Sequence, residues 1–189
     1  KGMPSSFTLE LPPYRRPQIG KILIRSILDR TLFVLGRAVA IAAPAGLLIW
    51  LLANTYAGGQ SLLQWGTAFL DPLGRLMGMD GVILMAFILG FPANEIVMPI
   101  ILMCYLSTGT LVSIDDYTQL RQIFTANGWT WVTALCTILF SLMHWPCSTT
   151  CLTMRKETGS WKWTFLGILI PALCGFVLCT LVHGIAMLL

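Results

Sequence analysis

Long apolar stretches, two of them interrupted in the middle, dominate the pattern of this chain. Uncharged runs cover residues 38–53 and 163–189, and such runs approach or exceed the length that crosses a bilayer as a helix. Two more runs, 81–106 and 129–154, are broken by proline beside polar residues. Broken backbone is tolerated in a membrane only where its freed groups face protein or water. The pattern predicts an all-α, polytopic membrane protein with discontinuous or re-entrant transmembrane helices.

The flanking segments predict three parts of the chain. Prolines break up residues 1–17, which we expect to form an extended lead-in. Over residues 18–36 basic and acidic positions repeat every four residues, which predicts an amphipathic helix at the membrane surface. A helix packed on a neighbouring domain is the alternative. Residues 32–189 are predicted to form the transmembrane domain, in which 56–80 give one or two interfacial or partly inserted helices.

The first broken run has two possible arrangements. Its halves, Val82 to Leu89 and Ile96 to Leu106, are each shorter than a full crossing. They form either one discontinuous span or a re-entrant hairpin, and the placement of charges favours the hairpin. The second broken run is apolar up to Met143 and is interrupted at Pro146.

Composition and charge narrow the class of protein. Of 189 residues, 56% are hydrophobic and 11% charged, and about 25% charged residues are usual in soluble domains. Basic residues gather near the amino end and in residues 155–162, which favours the cytoplasmic side for both segments. Residues 107–128 carry Asp115 and Asp116, which suits the opposite side of the membrane. We find no nucleic-acid motif, no phosphate loop and no metalloprotease motif. The chain begins with Lys1 and shows no signal peptide, so we expect a piece of a longer protein.

Glu95 is the acidic residue inside the first broken run. It is flanked by Asn94 and Met98 and lies between the helix-breaking Pro92 and Pro99. An intramembrane carboxylate is costly unless it is paired or hydrated, so it is a candidate to bind a cation or carry a proton. The alternative is that Glu95 caps a half-helix beginning at Ile96.

The second break carries metal-capable side chains. As a helix, His144, Cys147 and Cys151 would line one face beside Pro146. Imidazole and thiolate suit late first-row divalent metals, which suggests a metal path. The equally weighted alternative has both cysteines as packing residues and His144 bonded to a nearby carbonyl. We expect the other four cysteines to be free thiols that pack as small hydrophobes.

Three ordered motifs carry a family resemblance: residues 90–99, 144–150 and 156–160. They resemble the carboxy-terminal membrane half of FeoB, the bacterial ferrous iron transporter B. The resemblance implies a multi-pass inner-membrane protein that imports Fe(II), with its amino end cytoplasmic and no tightly bound cofactor. It also implies an amino-terminal half with a GTPase domain as partner, small cytoplasmic accessory Feo proteins and a possible homo-oligomer. In the family, the cysteine matching Cys147 is proposed to line the ion path, whereas Cys151 stands where an aliphatic residue is expected.

The resulting hypothesis is a non-enzymatic permease fragment of a GTP-dependent Fe(II) transporter. Fe(II) would pass Cys147 and Glu95, with Asn94, Met98 and His144 as weaker contacts. Two other hypotheses stay open: a structural half without an ion site, and a permease for nucleosides or other organic solutes.

Overall fold

The computed structural model describes residues 19–188, which form nine α-helices and one short β-hairpin. The predicted lead-in over residues 1–17 lies outside the described residues. The chain divides into two compact units, with the boundary between Arg37 and Ala38.

The first unit is helical where it is described. Helix α1 covers Ile19–Ser26, and a π-helical turn covers Ile27–Leu32. Helix α2 begins at Phe33, whereas the amphipathic helix was predicted to extend to residue 36. Along α1 the exposed side chains include basic Lys21 and apolar Ile24. The location of this helix at a membrane surface stays a prediction.

Helix α2, Phe33–Asn54, supplies a candidate membrane span from Val34 to Asn54. Its carboxyl end is held by Asn54, whose side-chain amide donates to the carbonyls of Trp50 and Gly109, each at 2.9 Å. The first bond satisfies a carbonyl in the last turn of the helix. The second connects the helix end to Gly109, in the loop that follows Leu106.

A β-hairpin that the sequence analysis missed follows α2. Strands β1, Tyr56–Ala57, and β2, Gln60–Ser61, pair antiparallel. Gly58 and Gly59 between them have φ of +64° and +86°, the conformation that a two-residue type I′ turn requires. Ser61 and Gln64 then form a capping box that starts helix α3, Leu62–Leu76. The region 56–80 therefore contains one helix, within the predicted one or two.

The first broken run folds back on itself. Helix α4 covers Gly81–Leu89, a 3-10 turn covers Asn94–Ile96, and helix α5 covers Val97–Leu106. Asp80, before α4, accepts a hydrogen bond from the hydroxyl of Tyr105 near the end of α5. At the other end, a Cβ on Gly90 would lie 2.5 Å from the Val97 side chain. Of the two predicted arrangements, the structure forms the helical hairpin.

This hairpin lies in the hydrophobic core. Phe87 of α4 is 2% exposed, and Ile83, Ile100 and Ile101 are fully buried. Helices α3 and α5 both pack on α4. Helix α3 meets α4 at 111°, and a Cβ on Gly81 would come within 2.0 Å of the Thr67 carbonyl oxygen. Only glycine allows the two backbones to approach so closely.

Four further helices complete the fold. Helix α6 covers Tyr117–Ala126, α7 covers Trp131–Met143, α8 covers Ser148–Thr158 and α9 covers Trp161–Leu188. Helices α7 and α8 both pack on α9. Between α7 and α9, the thiol of Cys179 lies 3.3 Å from the Cys136 carbonyl, and the thiol of Cys136 lies 3.8 Å from the Cys179 carbonyl. All six cysteines are free thiols.

The architecture confirms the predicted all-α, polytopic membrane class. Three helices among the described residues are long and apolar enough to cross a bilayer: Val34–Asn54, Trp131–Thr158 and Trp161–Leu188. A fourth crossing is counted if the bent α3 and α4 pair is one span. The segment Trp131–Thr158 contains α7, the second break and α8, so this run is a candidate discontinuous span, whereas the first run is a helical hairpin.

A small polar network joins the two helices of the α4–α5 hairpin at the end opposite to the turn between them. Asp80 caps α4 by accepting from the Ile83 amide at 2.7 Å, and it also accepts from the Tyr105 hydroxyl. The Trp129 indole donates to the same hydroxyl at 2.7 Å. Tyr105 therefore links α4, α5 and the segment that leads into α7.

We expect Tyr105→Phe to destabilise the fold by about 1–3 kcal/mol, because it leaves the indole of Trp129 and one oxygen of Asp80 without their partner. Unfolding in detergent, followed by circular dichroism, measures the change. Tyr117→Phe is the matched control, since Tyr117 is 88% exposed. Equal effects of the two substitutions would contradict the linking role.

A methyl group at position 81 should separate α3 from α4. Gly81→Ala is expected to cost on the order of 3 kcal/mol, because its Cβ would overlap the Thr67 carbonyl. Gly184→Ala is the control, since a Cβ there has nothing within 4 Å. Thermal unfolding midpoints of the two variants give the comparison, and similar midpoints would refute the close approach.

Candidate functional site

The tip of the hairpin presents irregular backbone. Helix α4 ends at Leu89 and Gly90 caps it, so that the Gly90 amide donates to the Ala86 carbonyl at 2.8 Å. The Ala93 amide then donates to the Gly90 carbonyl at 3.0 Å. Pro92 has no amide hydrogen and cannot extend the helix. The tip therefore carries carbonyl groups that no helix satisfies.

The predicted acidic residue lies just after this tip. Glu95 is exposed and belongs to the 3-10 turn. It makes no side-chain capping bond to the turn, and Ile96, the residue before α5, receives none either. The structure thus does not show a capping hydrogen bond from Glu95, although Glu95 lies in the first turn, where a carboxylate interacts favourably with the helix dipole. Among the described residues, no hydrogen bond or ion pair of the Glu95 carboxylate is found.

A cleft of about 320 Å³ opens between the hairpin and α7. Asn94, Glu95 and Met98 line it from the hairpin side. Thr137 and Ser141 line it from α7. The cleft therefore brings together three residues that the sequence indicated and two hydroxyl residues that it did not. Nothing in the sequence predicted either hydroxyl residue as part of a site, because isolated Ser and Thr residues are common in apolar helices.

The second break is extended and not helical. Helix α7 ends at Met143, and His144 and Cys147 have ψ of 175° and 160°. The expectation that His144, Cys147 and Cys151 would share one helical face is therefore wrong. Pro146 explains this result, because it removes a backbone donor and restricts the residue before it. No group of three or more metal-binding side chains lies close together within residues 19–188.

His144 is oriented by the end of α7. Its Nδ1 lies 2.8 Å from the Ser141 carbonyl oxygen, which can only accept, so Nδ1 carries the proton. The predicted bond of His144 to a nearby carbonyl is present. Nε2 then has a free lone pair, and it is buried with no hydrogen-bond partner in the described part of the chain. The ring packs 5.1 Å from that of Phe87.

The two cysteines of this break differ in their surroundings. Cys147 is half-buried, and its sulfur lies 3.1 Å from the hydroxyls of both Thr149 and Thr150. Cys151 is 7% exposed, and its thiol lies 3.4 Å from the Pro146 carbonyl. Cys147 is thus the accessible thiol of the pair, whereas Cys151 occupies a packing position.

The two breaks touch each other. The amide of Ser148, the first residue of α8, donates to the Phe91 carbonyl at 2.9 Å. The Ser148 hydroxyl lies 3.4 Å from the Pro92 carbonyl. Cys147 thus adjoins the hairpin tip, while Glu95 lies in the cleft that Cys147 does not line. Ser148 was not among the predicted site residues.

Comparison with known proteins identifies two matching family models. The Gate model, described as nucleoside recognition, matches residues 35–161. The FeoB_C model, described as ferrous iron transport protein B C terminus, matches residues 1–29. Together the two models cover residues 1–29 and 35–161.

Several curated relatives are named Fe(2+) transporter FeoB. The chain is 30% identical to one from Staphylococcus aureus (strain MSSA476) over 95% of this chain and 26% of the relative. It is 26% identical to one from Methanocaldococcus jannaschii over 100% of this chain and 29% of the relative. A Synechocystis relative is 28% identical over 87% of this chain and 26% of its own length. The chain thus spans about a quarter of these relatives. No solved structure matches.

Thiol reactivity should follow the burial of the cysteines. In detergent, we expect N-ethylmaleimide to modify half-buried Cys147 well before Cys151, Cys136 and Cys179, which are 7%, 0% and 0% exposed. Mass spectrometry of the peptides resolves each position. Labelling after denaturation is the control, because all thiols should then react alike. Faster labelling of Cys151 than of Cys147 would contradict the arrangement.

Proposed function

The chain belongs to the Gate family and matches the carboxy-terminal membrane part of FeoB proteins, and we propose that it forms part of the Fe(II) path of a ferrous iron transporter. The observation that carries this proposal is the contact between the two helix breaks, Ser148 to Phe91. Irregular backbone inside a membrane protein is tolerated where it is buried in protein or lines a water-filled passage, and in transporters such breaks typically meet at the substrate path.

Helix lengths support a contact in the middle of the membrane. Helix α7 has 13 residues and α8 has 11, which at 1.5 Å per residue are about 20 Å and about 16 Å long. Their junction therefore falls near the centre of a hydrocarbon layer of about 30 Å. The hairpin helices α4 and α5, with 9 and 10 residues, reach about half of that thickness. The helix lengths are therefore consistent with both breaks lying at the same depth in the bilayer.

The donor set fits a borderline divalent cation better than Mg²⁺. We assign Cys147 as a thiolate ligand and Glu95 as a carboxylate ligand that Fe(II) meets at separate points of its path. Asn94, Met98 and the free Nε2 of His144 are weaker contacts. Sulfur and imidazole favour such ions over Mg²⁺ or Ca²⁺. Cys151 is assigned to packing because its thiol is directed to a backbone carbonyl.

We further propose an inner-membrane location with the amino end in the cytoplasm. The turn between α8 and α9 lies among Arg155, Lys156 and Lys162, which favours the cytoplasmic side. Helix α7 then starts outside, together with the loop that carries Asp115 and Asp116. In this orientation the α4–α5 hairpin enters and leaves from the outer side.

The rest of such a transporter supplies the other components. We propose that a GTPase domain and a first gate lie in the amino-terminal half, and that this chain is not itself an enzyme. Small accessory Feo proteins and further copies of the chain are candidate partners, together with the lipid bilayer. Fe(II) is the transported substrate, and no resident cofactor or nucleic-acid partner is proposed.

One observation favours a second candidate, a permease for nucleosides. The Gate model is described as nucleoside recognition, and the cleft beside Glu95 has a volume of about 320 Å³. A purely structural half without an ion site is the third possibility. Binding measurements separate the three.

We expect the purified chain in detergent to bind Co²⁺, used as an air-stable substitute for Fe²⁺. Cys147→Ser and Glu95→Gln should each weaken binding about tenfold or more, because each removes a ligand. Cys174→Ser and Glu157→Gln are matched controls, since both side chains are exposed away from the breaks. Calorimetry gives the affinities.

The result that defeats the site assignment is equal Co²⁺ affinity for all four variants. Binding of adenosine or uridine that Glu95→Gln alters would support the nucleoside permease. Absence of binding by either ligand would support the structural half.

A further inference from the structure

The contact between the breaks depends on one residue. Ser148 donates its amide to the Phe91 carbonyl at 2.9 Å and places its hydroxyl 3.4 Å from the Pro92 carbonyl. Within residues 19–188, no other backbone hydrogen bond joins the hairpin to the segment of α7 and α8. One backbone hydrogen bond therefore joins the two breaks, beside the contact of the Ser148 hydroxyl with Pro92.

Neither partner of this bond has another hydrogen-bond partner among residues 19–188. The Ser148 amide is at the first position of α8, where amides have no acceptor within the helix. The Phe91 carbonyl precedes Pro92, at the tip where no helix continues. In an apolar environment an unpaired amide or carbonyl is costly. If the bond opens, water or a cation must replace each partner.

The surrounding packing permits this bond to open locally. Helix α8 packs on α9, whereas α4 packs on α3 and α5. The hairpin also contacts α7 and the second break through Phe87, whose ring lies 4.9 Å from that of Phe140, edge to face, and 5.1 Å from that of His144. Separation of Ser148 from Phe91 therefore leaves the main helix contacts in place.

We propose that Ser148 is a positioning residue that holds the ion passage closed, and that a divalent cation opens it by replacing the Ser148 amide as the partner of the Phe91 carbonyl. The passage and the choice of cation rest on the proposed function, whereas the bond that joins the two breaks is given by the geometry. Ser148 acts through Phe91 and the adjacent Cys147 and need not touch the ion.

Electrostatics indicate how a cation would affect the bond between Ser148 and Phe91. Backbone carbonyl oxygens can replace the hydration shell of an ion, so a cation near Cys147 gains from the Phe91 carbonyl. The amino end of α8 carries a partial positive charge and repels the same cation. A cation that binds the carbonyl should therefore displace the Ser148 amide from Phe91, while Cys147, the residue just before α8, remains a ligand of the ion.

Two substitutions of Ser148 separate the amide from the hydroxyl. Ser148→Pro removes the amide hydrogen, and proline is favoured at the first position of a helix. Cys147 already has φ of −61° and ψ of 160°, which a following proline requires, so α8 should form normally. Ser148→Ala keeps the amide and removes only the hydroxyl contact, and is the matched control.

The test measures modification of Cys147 by a small charged methanethiosulfonate in liposomes, with mass spectrometry to identify the labelled cysteine. Ser148→Pro should raise the rate about tenfold, the effect of losing one hydrogen bond that holds the passage closed. Ser148→Ala should leave it within about twofold. Equal rates in the two variants would overturn the closing role of the amide.

A measurement on the unsubstituted chain avoids any doubt about folding of the variants. Hydrogen exchange at the Ser148 amide should be slow without metal and faster with Co²⁺, while Mg²⁺ should change it little. No acceleration by bound Co²⁺ would refute cation-driven opening.

The outcomes also distinguish this proposal from the proposed function. Loss of Co²⁺ binding from the parent chain, with Ser148→Pro still raising Cys147 labelling, would reject the iron path and keep the closure. Normal Co²⁺ binding with equal labelling in both variants would reject the closure and keep the iron path.

Discussion

The requirement that buried backbone groups find partners governs this structure. A membrane interior offers no water, so every amide and carbonyl freed by a break must be satisfied by protein, by a lined cavity or by a ligand. The chain meets this requirement at its two breaks by bonding one to the other, from Ser148 to Phe91. That pairing brings the hairpin tip to the start of α8, beside the candidate site.

The sequence predicts the elements well where a local signal exists. Proline at positions 92 and 146 indicated both breaks, and apolar length indicated the helices that flank them. Charge placement favoured the hairpin over a single discontinuous span, and the structure shows the hairpin. The β-hairpin at residues 56–61 was missed, although Gly58 and Gly59 are the usual signal of a tight turn, because two-residue strands have no readable periodicity.

The site was less predictable because it is made by tertiary contacts. Helical spacing put His144, Cys147 and Cys151 on one face, but Pro146 holds the break extended and separates their roles. Thr137 and Ser141 face Glu95 only because the hairpin packs beside α7, which no local pattern reveals. The same holds for Ser148, whose significance lies in an acceptor 57 positions away, at Phe91.

If both breaks lie at one depth, as proposed, they have an electrical consequence for a divalent cation. Moving one elementary charge through 100 mV is worth about 2.3 kcal/mol, so a divalent cation gains about 4.6 kcal/mol over the same potential. Where polar backbone from both sides reaches the centre of the bilayer, the low-dielectric barrier becomes thin, and more of the voltage falls across it. The membrane potential would then act on the ion mainly between the hairpin tip and the start of α8, where inward movement of a cation is favoured in a cell that is negative inside.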